Sequence, residues 1–509
     1  VGWFPGAVVV DGPRGKIDVA NIKSLPAHMQ PVKGLPGLGF NTHQYGGSLS
    51  LVPEPDKAGL ARMTQTALAN LRYPLLAQAK LPPRLDRAPQ PVPERAGEPS
   101  VFKHVIYVLK ENRTYDQVLG DVKPGNGDAS LCNFGERVTP NQHKIAREFV
   151  LLDNTYCSSI LSADGHNWAD AGLATDYVER EFAGWPRSYP AGGFAEGGRD
   201  ALAYSPAGFI WDNALAHHQT VVDFGEFTSV TKHWKDPARK DKITFRDCYK
   251  DCVSGAGELV YTAEPDIEAM RPFLAPGYVG WDLDIPDVWR AGQFVTTLKQ
   301  YEAAGTLPAL TILLLPNNHT SGTKYGSPTP AAQVADNDLA LGRVLEAVSH
   351  SKFWQDTCLF VIEDDPQNGW DHVSGYRTTA FVASAYTKRH AVVSTQYNHT
   401  SLLRTMELML GLPPMNQMDA TATPMFDCFT NTPDFTPFDS VANQVPLDQM
   451  NPQHSPDARL RQDEMVSARL PLNKPDQCPE DVLNRILWRA TMGPDKPYPN
   501  WAVKTVDND

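Results

Sequence analysis

At 509 residues with 41% hydrophobic content, the chain is long enough to bury a large core, as one catalytic-sized domain with appendages or as two to three domains, and disorder throughout is excluded. The net charge of −13 argues against a nucleic-acid partner, because affinity for that backbone rests on Lys and Arg neutralising phosphates. No run of about 18 apolar residues occurs, so no segment is expected to span a bilayer, and the opening VGWFPGAVVVDG lacks the charged and apolar regions of a signal peptide.

Residues 1–55 read as a small β unit, in which GAVVV, a turn at DGPRGK, IDVAN and SLSLVP form short strands punctuated by Gly and Pro. A sheet that small does not stand alone. Residues 56–100 combine a helical apolar period (Leu60, Met63, Ala67, Leu68, Leu71) with a Pro-rich linker, LPPRLDRAPQPVPERAGEPS. From Phe102 the pattern changes to apolar strands: HVIYVL, REFVLLDNTY, TVVDFGEF, LTILLLP and CLFVIEDD. Helical segments such as DVWRAGQFVTTLKQYEAAG and AAQVADNDLALGRVLEAVSHS lie between them, which predicts an α/β domain over 101–430 with a largely parallel central sheet flanked by helices. Residues 431–509 read as an irregular, Pro-rich extension ending in a helix at PEDVLNRILWRAT, whose Val482, Ile486 and Leu487 are expected to dock on the body.

The seven cysteines, at 132, 157, 248, 252, 358, 428 and 478, show no CxxC pair, so a structural zinc site is not expected. Up to three disulfides with one thiol left over, or buried free thiols in a reducing compartment, both fit the count. Cys248 and Cys252 are spaced for a local bridge only if the chain there is not regular helix.

In a parallel sheet, ligands bind beyond the carboxyl ends of the strands, so the polar residues following each strand carry the functional reading. After HVIYVL come Glu111 and Asn112, a carboxylate beside an amide oxygen and hence hard ligands for a divalent cation. CSSILSADGHNWADAG places small polar residues at the start of a helix, where the dipole favours an anionic transition state; Ser162 is the candidate nucleophile, with Ser158 and Ser159 as rivals. LTILLLPNNHTSG delivers Asn317, Asn318 and His319 to another strand end, and His399 precedes a strongly periodic helix. His319 is suited to metal coordination, phosphate orientation or protonation of a leaving group, and His399 to ligation or helix capping. Glu363, Asp364 and Asp365 follow CLFVI, where clustered anions raise one another's pKa unless a cation sits among them. The NGWDH continuation is expected to bring Asp371 and His372 back to the same edge.

In this order, the motifs KHVIYVLKENRTYDQVLG, SADGHNW, LPNNHTSG, IEDDPQNGWDHV and NHTSLLRTMELMLGLPP resemble the alkaline phosphatase superfamily, and more closely the bacterial phosphoesterase family that includes phospholipase C and an acid phosphatase. The resemblance implies an alkaline-phosphatase-like fold and a metal-dependent phosphoesterase acting on mono- or diesters through a phosphoseryl intermediate. It makes Glu111, Asn112, Asp364, Asp365 and Ser162 metal ligands, with His399 as a further one. Ser162, His319, His372 and His166 take catalytic places around the phosphoryl group, and Asn317, Asn318 and Asn167 bind substrate. The cofactor is a divalent ion (Ca, Zn, Fe, Mn or Mg), and the substrate is a phosphate-ester small molecule or a phospholipid head group. Where relatives commonly read Asn-Asp-His, this chain has Asn317-Asn318-His319, which removes a carboxylate that a second metal would use. A periplasmic or secreted location, its signal removed, goes with the family.

GWFPGAVVVDGPRGKIDVAN is similar to the closing blade of a YVTN-type β-propeller, which implies missing blades or a propeller partner. The competing reading is a non-catalytic binding protein with a structural metal and a propeller-related partner surface. A formylglycine sulfatase is disfavoured by the absence of Cys-x-Pro-x-Arg. Residues 178–300, rich in aromatics and Gly, have the composition of a lid over the site. The Asn-x-Thr patterns at Asn112, Asn318 and Asn398 coincide with the site and are read as chance rather than glycosylation signals.

Overall fold

A computed structural model describes residues 5–21, 47–181, 202–367, 369–472 and 478–499. The main body is built on a five-stranded mixed sheet of β4 (His104–Lys110), β7 (Val221–Phe224), β10 (Leu310–Leu315), β11 (Thr357–Glu363) and β12 (Ala380–Ser384), in the order β12-β11-β4-β10-β7. Every neighbouring pair is parallel except β11 with β12, so the sheet is largely parallel with an antiparallel edge. Apolar runs such as LTILLL suit strands covered on both faces. Alternation along them divides the core: Ile106, Val108, Leu313, Leu315, Leu359 and Val361 face one helical layer, which includes Asp287–Ala304 and Pro330–Ser349. Val105, Tyr107, Leu109, Ile312, Leu314 and Phe360 face the other, formed by Ser162–Ala171, Ile210–Ala216 and His399–Leu410. Each such side chain, fully buried, stabilises the fold by about 1.5–3 kcal/mol.

Several expectations are corrected. REFVLLDNTY does not enter the central sheet: β5 (Val150–Leu152) and β6 (Thr155–Tyr156) each pair in parallel with a short later strand, β13 (Ala391–Val393) and β14 (Tyr397–Asn398). An antiparallel pair of β8 (Thr228–Trp234) and β9 (Leu259–Pro265), joined through the helix Phe245–Ser254, stands within the aromatic-rich segment read as a lid, of which residues 182–201 lie outside the described residues. All seven cysteines are free thiols, and Cys248 and Cys252 lie on the regular helix Phe245–Ser254, where a local bridge does not form.

At the amino terminus β1 (Pro5–Asp11), β2 (Lys16–Asn21) and β3 (Ser48–Pro53) form the antiparallel unit that the Gly and Pro punctuation predicts. The helical stretch after it divides into Lys57–Asn70 and Tyr73–Ala79, and its apolar stripe of Leu60, Met63, Leu68 and Leu71 is exposed. The carboxyl-terminal helix Glu480–Met492 does dock, through Leu483, Ile486, Leu487 and Trp488, with Val482 only partly covered. A further helix, Ala458–Ser467, occupies part of the extension read as irregular. No helix among the described residues is long and apolar enough to cross a membrane.

Candidate active site

Three strand tips meet at the carboxyl edge of the sheet. β4 and β11 pair in register to Lys110 and Glu363, so Glu111 and Asn112 leave one strand beside Asp364 and Asp365 leaving the other. The tips are tied by a buried ion pair. Lys110 Nζ donates to Glu363 Oε1 at 2.7 Å and to Gln142 Oε1 at 2.9 Å, and Thr379 Oγ1 donates to the same Glu363 oxygen at 2.8 Å. Asn318, just beyond β10, closes the third side: its Nδ2 donates to Glu363 Oε2 at 2.7 Å, and its Oδ1 accepts from the Glu111 N–H at 3.0 Å. Glu363, the first acid of the EDD run, is therefore part of the frame, and Asn318 spends both ends of its amide there rather than on a substrate.

The helix Ser162–Ala171 is laid across this edge. Asp164 starts it by accepting from the N–H groups of Ile160 and Leu161, and Gly172, at φ 63°, ends it in the left-handed region that favours glycine. Gly165 permits the close approach, since a Cβ there would lie 2.8 Å from the Asp364 carbonyl oxygen. Ser162, His166 and Asp170 recur every four residues and share one helical face. Ser162 Oγ donates to Asp365 Oδ2 at 3.0 Å, and Asn112 Nδ2 donates to that oxygen at 2.6 Å while lying 3.4 Å from Ser162 Oγ. The rival serines are otherwise engaged: Ser159 Oγ donates to the Asp364 carbonyl at 2.5 Å, and Ser158 is half-buried, its N–H donating to His399.

His166 Nε2 lies 3.1 Å from Glu111 Oε1 and 3.4 Å from Asp364 Oδ2, while its Nδ1 is 2.6 Å from Glu226 Oε1. Burial, reinforced by Asp365 and Glu226, pushes Glu111 up to about 8 against the pull of His166. Asp364 is raised well above the usual carboxylate range by burial and then by Asp365 and Glu111. Burial alone would lower His166, but Glu226, Asp364 and Glu111 outweigh it and raise the ring well above its ordinary value. Glu111 Oε2, Asn112 Oδ1 and both Asp364 side-chain oxygens are buried and accept no hydrogen bond. Buried carboxylate oxygens without donors are costly unless they bind a cation or a proton. Glu111, His166 and Asp364 bring their ligand atoms within 4.8 Å of one another, and this set fits a divalent ion.

Of the residues read from sequence, Glu111, Asn112, Ser162, His166, Asp364 and Asp365 converge. His319 stands beside them, its backbone oxygen held by Arg113 Nη2 at 3.0 Å, while Arg113 Nη1 donates to the Asn112 carbonyl at 3.0 Å. Its Nδ1 is 3.1 Å from the Thr320 carbonyl, and burial together with the Arg113 charge lowers it to about 4, so the ring is neutral near pH 7. His399 is corrected from metal ligand to support, because Nδ1 accepts from the Ser158 N–H at 3.1 Å and Nε2 donates to the Glu363 carbonyl at 2.9 Å, leaving no nitrogen for a metal.

His372 is engaged by other partners. It belongs to a neighbouring cluster in which its Nδ1 is 2.6 Å from Asp116 Oδ2 and its Nε2 is 3.2 Å from Asn126 Oδ1, with Arg377 bridging Asp116 and Asp371. Asn317 points away from the site, donating through Nδ2 to the Ile285 carbonyl and to Asp336, and Asn167 donates back to the carbonyl of Ala163 in its own helix. Sequence reasoning missed Arg113, Asp170 and Glu226. Glu226 follows the strand in TVVDFGEF, where inspection of polar residues beyond strand ends finds it, and Asp170 continues the four-residue period from Ser162.

The Phosphoesterase family model matches residues 281–413. The match indicates a hydrolase. It includes Asp364, Asp365 and His319 and stops short of Glu111, Ser162 and the amino-terminal sheet, whose propeller resemblance finds no support. Among solved structures, the chain is similar to a protein in the alkaline phosphatase superfamily from Vibrio parahaemolyticus, at 15% identity over 69% of this chain and 77% of that one, with a TM-score of 0.39. It is also similar to the lipoteichoic acid synthase LtaP from Listeria monocytogenes, at 13% identity over 79% and 96% of the two chains, with a TM-score of 0.36. A third similarity is to the phosphonate monoester hydrolase of Agrobacterium radiobacter, at 12% identity over 61% and 74%, with a TM-score of 0.33. No curated protein matches the chain in sequence.

Proposed function

We propose that the chain is a metal-dependent phosphoesterase that hydrolyses phosphate mono- or diesters through a phosphoseryl intermediate at Ser162. The observation that carries this reading is the Ser162 hydroxyl, 3.0 Å from Asp365 Oδ2 at the first turn of a ten-residue helix and close to Glu111 and Asp364, whose Oε2 and both Oδ atoms accept no hydrogen bond. Glu111, Asp364 and His166 would hold the ion, with Asn112, Asp365 and Ser162 adjacent. Bound there, a divalent cation lowers the pKa of the serine hydroxyl and offsets charge on the non-bridging phosphoryl oxygens.

Asp365, which accepts from both Ser162 and Asn112, sets the direction of the hydroxyl and is a proton acceptor within hydrogen-bond reach of it. The helix amino terminus favours the negative charge that develops as the Oγ–P bond forms and the P–O bond to the leaving group breaks. The departing oxygen takes up a proton from solvent, and Asp365 keeps the serine's proton for its return. Water then attacks the phosphoserine, and the P–Oγ bond breaks to restore the serine. His319, neutral and with Nδ1 directed at the Thr320 carbonyl, offers Nε2 as an acceptor, which suits the removal of a proton from that water.

Rapid acid quench during turnover of p-nitrophenyl phosphate, followed by peptide mass spectrometry, is expected to recover phosphate on Ser162. Ser162→Ala is expected to lose activity by about 10³-fold or more with its fold intact. Full activity in that variant, or hydrolysis insensitive to a chelator, defeats the reading. Parallel assays on bis-p-nitrophenyl phosphate, a phosphatidylcholine dispersion and p-nitrophenyl sulfate assign the ester class.

A further inference from the structure

We infer that Glu226 is a positioning residue: by holding Nδ1 of His166 it fixes the ring so that Nε2 faces Glu111 and Asp364, and so raises the affinity of that site for a divalent cation. This rests on the metal site proposed above.

The geometry is specific. Glu226 Oε1 lies 2.6 Å from Nδ1, and Nε2 on the far side of the ring is 3.1 Å from Glu111 Oε1 and 3.4 Å from Asp364 Oδ2. A histidine that donates from Nδ1 presents its Nε2 lone pair outward. Two carboxylate oxygens converge on the same point, so either a proton or a cation has to sit between the three ligand atoms. A metal-bound histidine whose other nitrogen donates to a carboxylate is held in one tautomer and one orientation, and is the more basic for it.

Glu226 is itself anchored. Its N–H donates to Asp223 Oδ1 at 3.1 Å, and its carbonyl accepts from Thr228 Oγ1 at 2.9 Å. The Phe227 ring meets the His166 ring edge-on at 6.0 Å, which limits rotation of the imidazole. Glu226 and His166 are both buried, so water does not compete for the bond between them. Asp170, one helical turn beyond His166, groups with Glu226 and His166, its buried carboxyl set against that of Glu226. The fold therefore brings Glu226, 60 residues along the chain, to the one nitrogen of His166 that the metal site does not use.

The test is a calorimetric titration of Zn2+ into the chelator-stripped full chain. Glu226→Gln, which keeps the shape and weakens the acceptor, is expected to lose about tenfold in affinity, and Glu226→Ala up to about 100-fold. The melting temperatures of the stripped variants report folding separately. Glu111→Ala serves as the control for the metal site itself. If Glu111→Ala weakens Zn2+ binding while Glu226→Gln stays within twofold of the parent, the inference is overturned and the metal site stands; if neither moves, both fall. On the unaltered chain, histidine-selective 15N NMR of the Zn2+-loaded protein is expected to show His166 bound through Nε2 and protonated at Nδ1. Binding through Nδ1, or no binding by His166, overturns the inference even if the variants fail to fold.

Discussion

Glu363 and His399 show how a polar side chain at a strand or helix end is claimed by backbone and neighbours before any ligand reaches it. His399 satisfies the Ser158 N–H and the Glu363 carbonyl at once. His399→Ala is expected to lower stability by about 1–3 kcal/mol for the buried groups it orphans, read from the urea midpoint, while the metal content of the purified protein is unchanged. Loss of metal without loss of stability would restore it as a ligand. The convergence of Glu111, Asn112, Ser162, Asp364 and Asp365 was legible in the sequence, because oxygen donors at the ends of buried strands and a serine at a helix start are costly without a purpose. The sequence did not sort the histidines and asparagines, since a residue such as Asn318 serves a frame or a substrate with the same amide. The decision rests on the partners Glu111 and Glu363, which lie far off in the chain.

At the scale of elements, the apolar runs of β4, β10 and β11 were legible because strands covered on both faces carry little else. The antiparallel edge β12, the short pairs of β5 with β13 and β6 with β14, and the β8–β9 pair were not, since two- to seven-residue strands leave little periodicity and their partners lie elsewhere in the sequence. The ion pair joining β4 to β11 makes a prediction of its own. Glu363→Gln leaves the Lys110 charge buried with a weaker partner and is expected to cost about 3–5 kcal/mol, whereas Lys110→Met with Glu363→Leu is expected to recover much of that loss. Denaturant titration of the single and double variants decides it: a single variant as stable as the parent would mean that the pair is not part of the frame.

For the whole molecule, the balance of buried acids and histidines sets the response to pH. Glu111 is raised from its ordinary 4.5 to about 8, so the folded chain keeps a proton that the unfolded chain has released, and in the absence of metal this contribution to stability is lost as pH rises through that window. Asp266 and Asp336, each pushed up to about 7 chiefly by burial, act in the same sense. His319 and His399, held down to about 4 by burial, act oppositely: the stability tied to their neutral form is present above 6.5 and lost as pH falls towards 4. The chelated protein is therefore expected to melt at lower temperature at pH 8 than at pH 6. An added divalent cation, displacing the proton on Glu111, is expected to raise the melting temperature more at pH 8 than at pH 6. A cation-induced shift independent of pH would contradict the assignment of Glu111 as a ligand. The bridge from Lys110 through Glu363 to Asn318 has one more consequence. Because three strand tips are locked to one another, the spacing of Glu111, Asp364 and His319 is inherited from the register of the sheet. Neighbouring loops can lengthen or drift without altering it, whereas a slip of a single residue in β11, about 3.3 Å along the strand, would dismantle the site at every corner together.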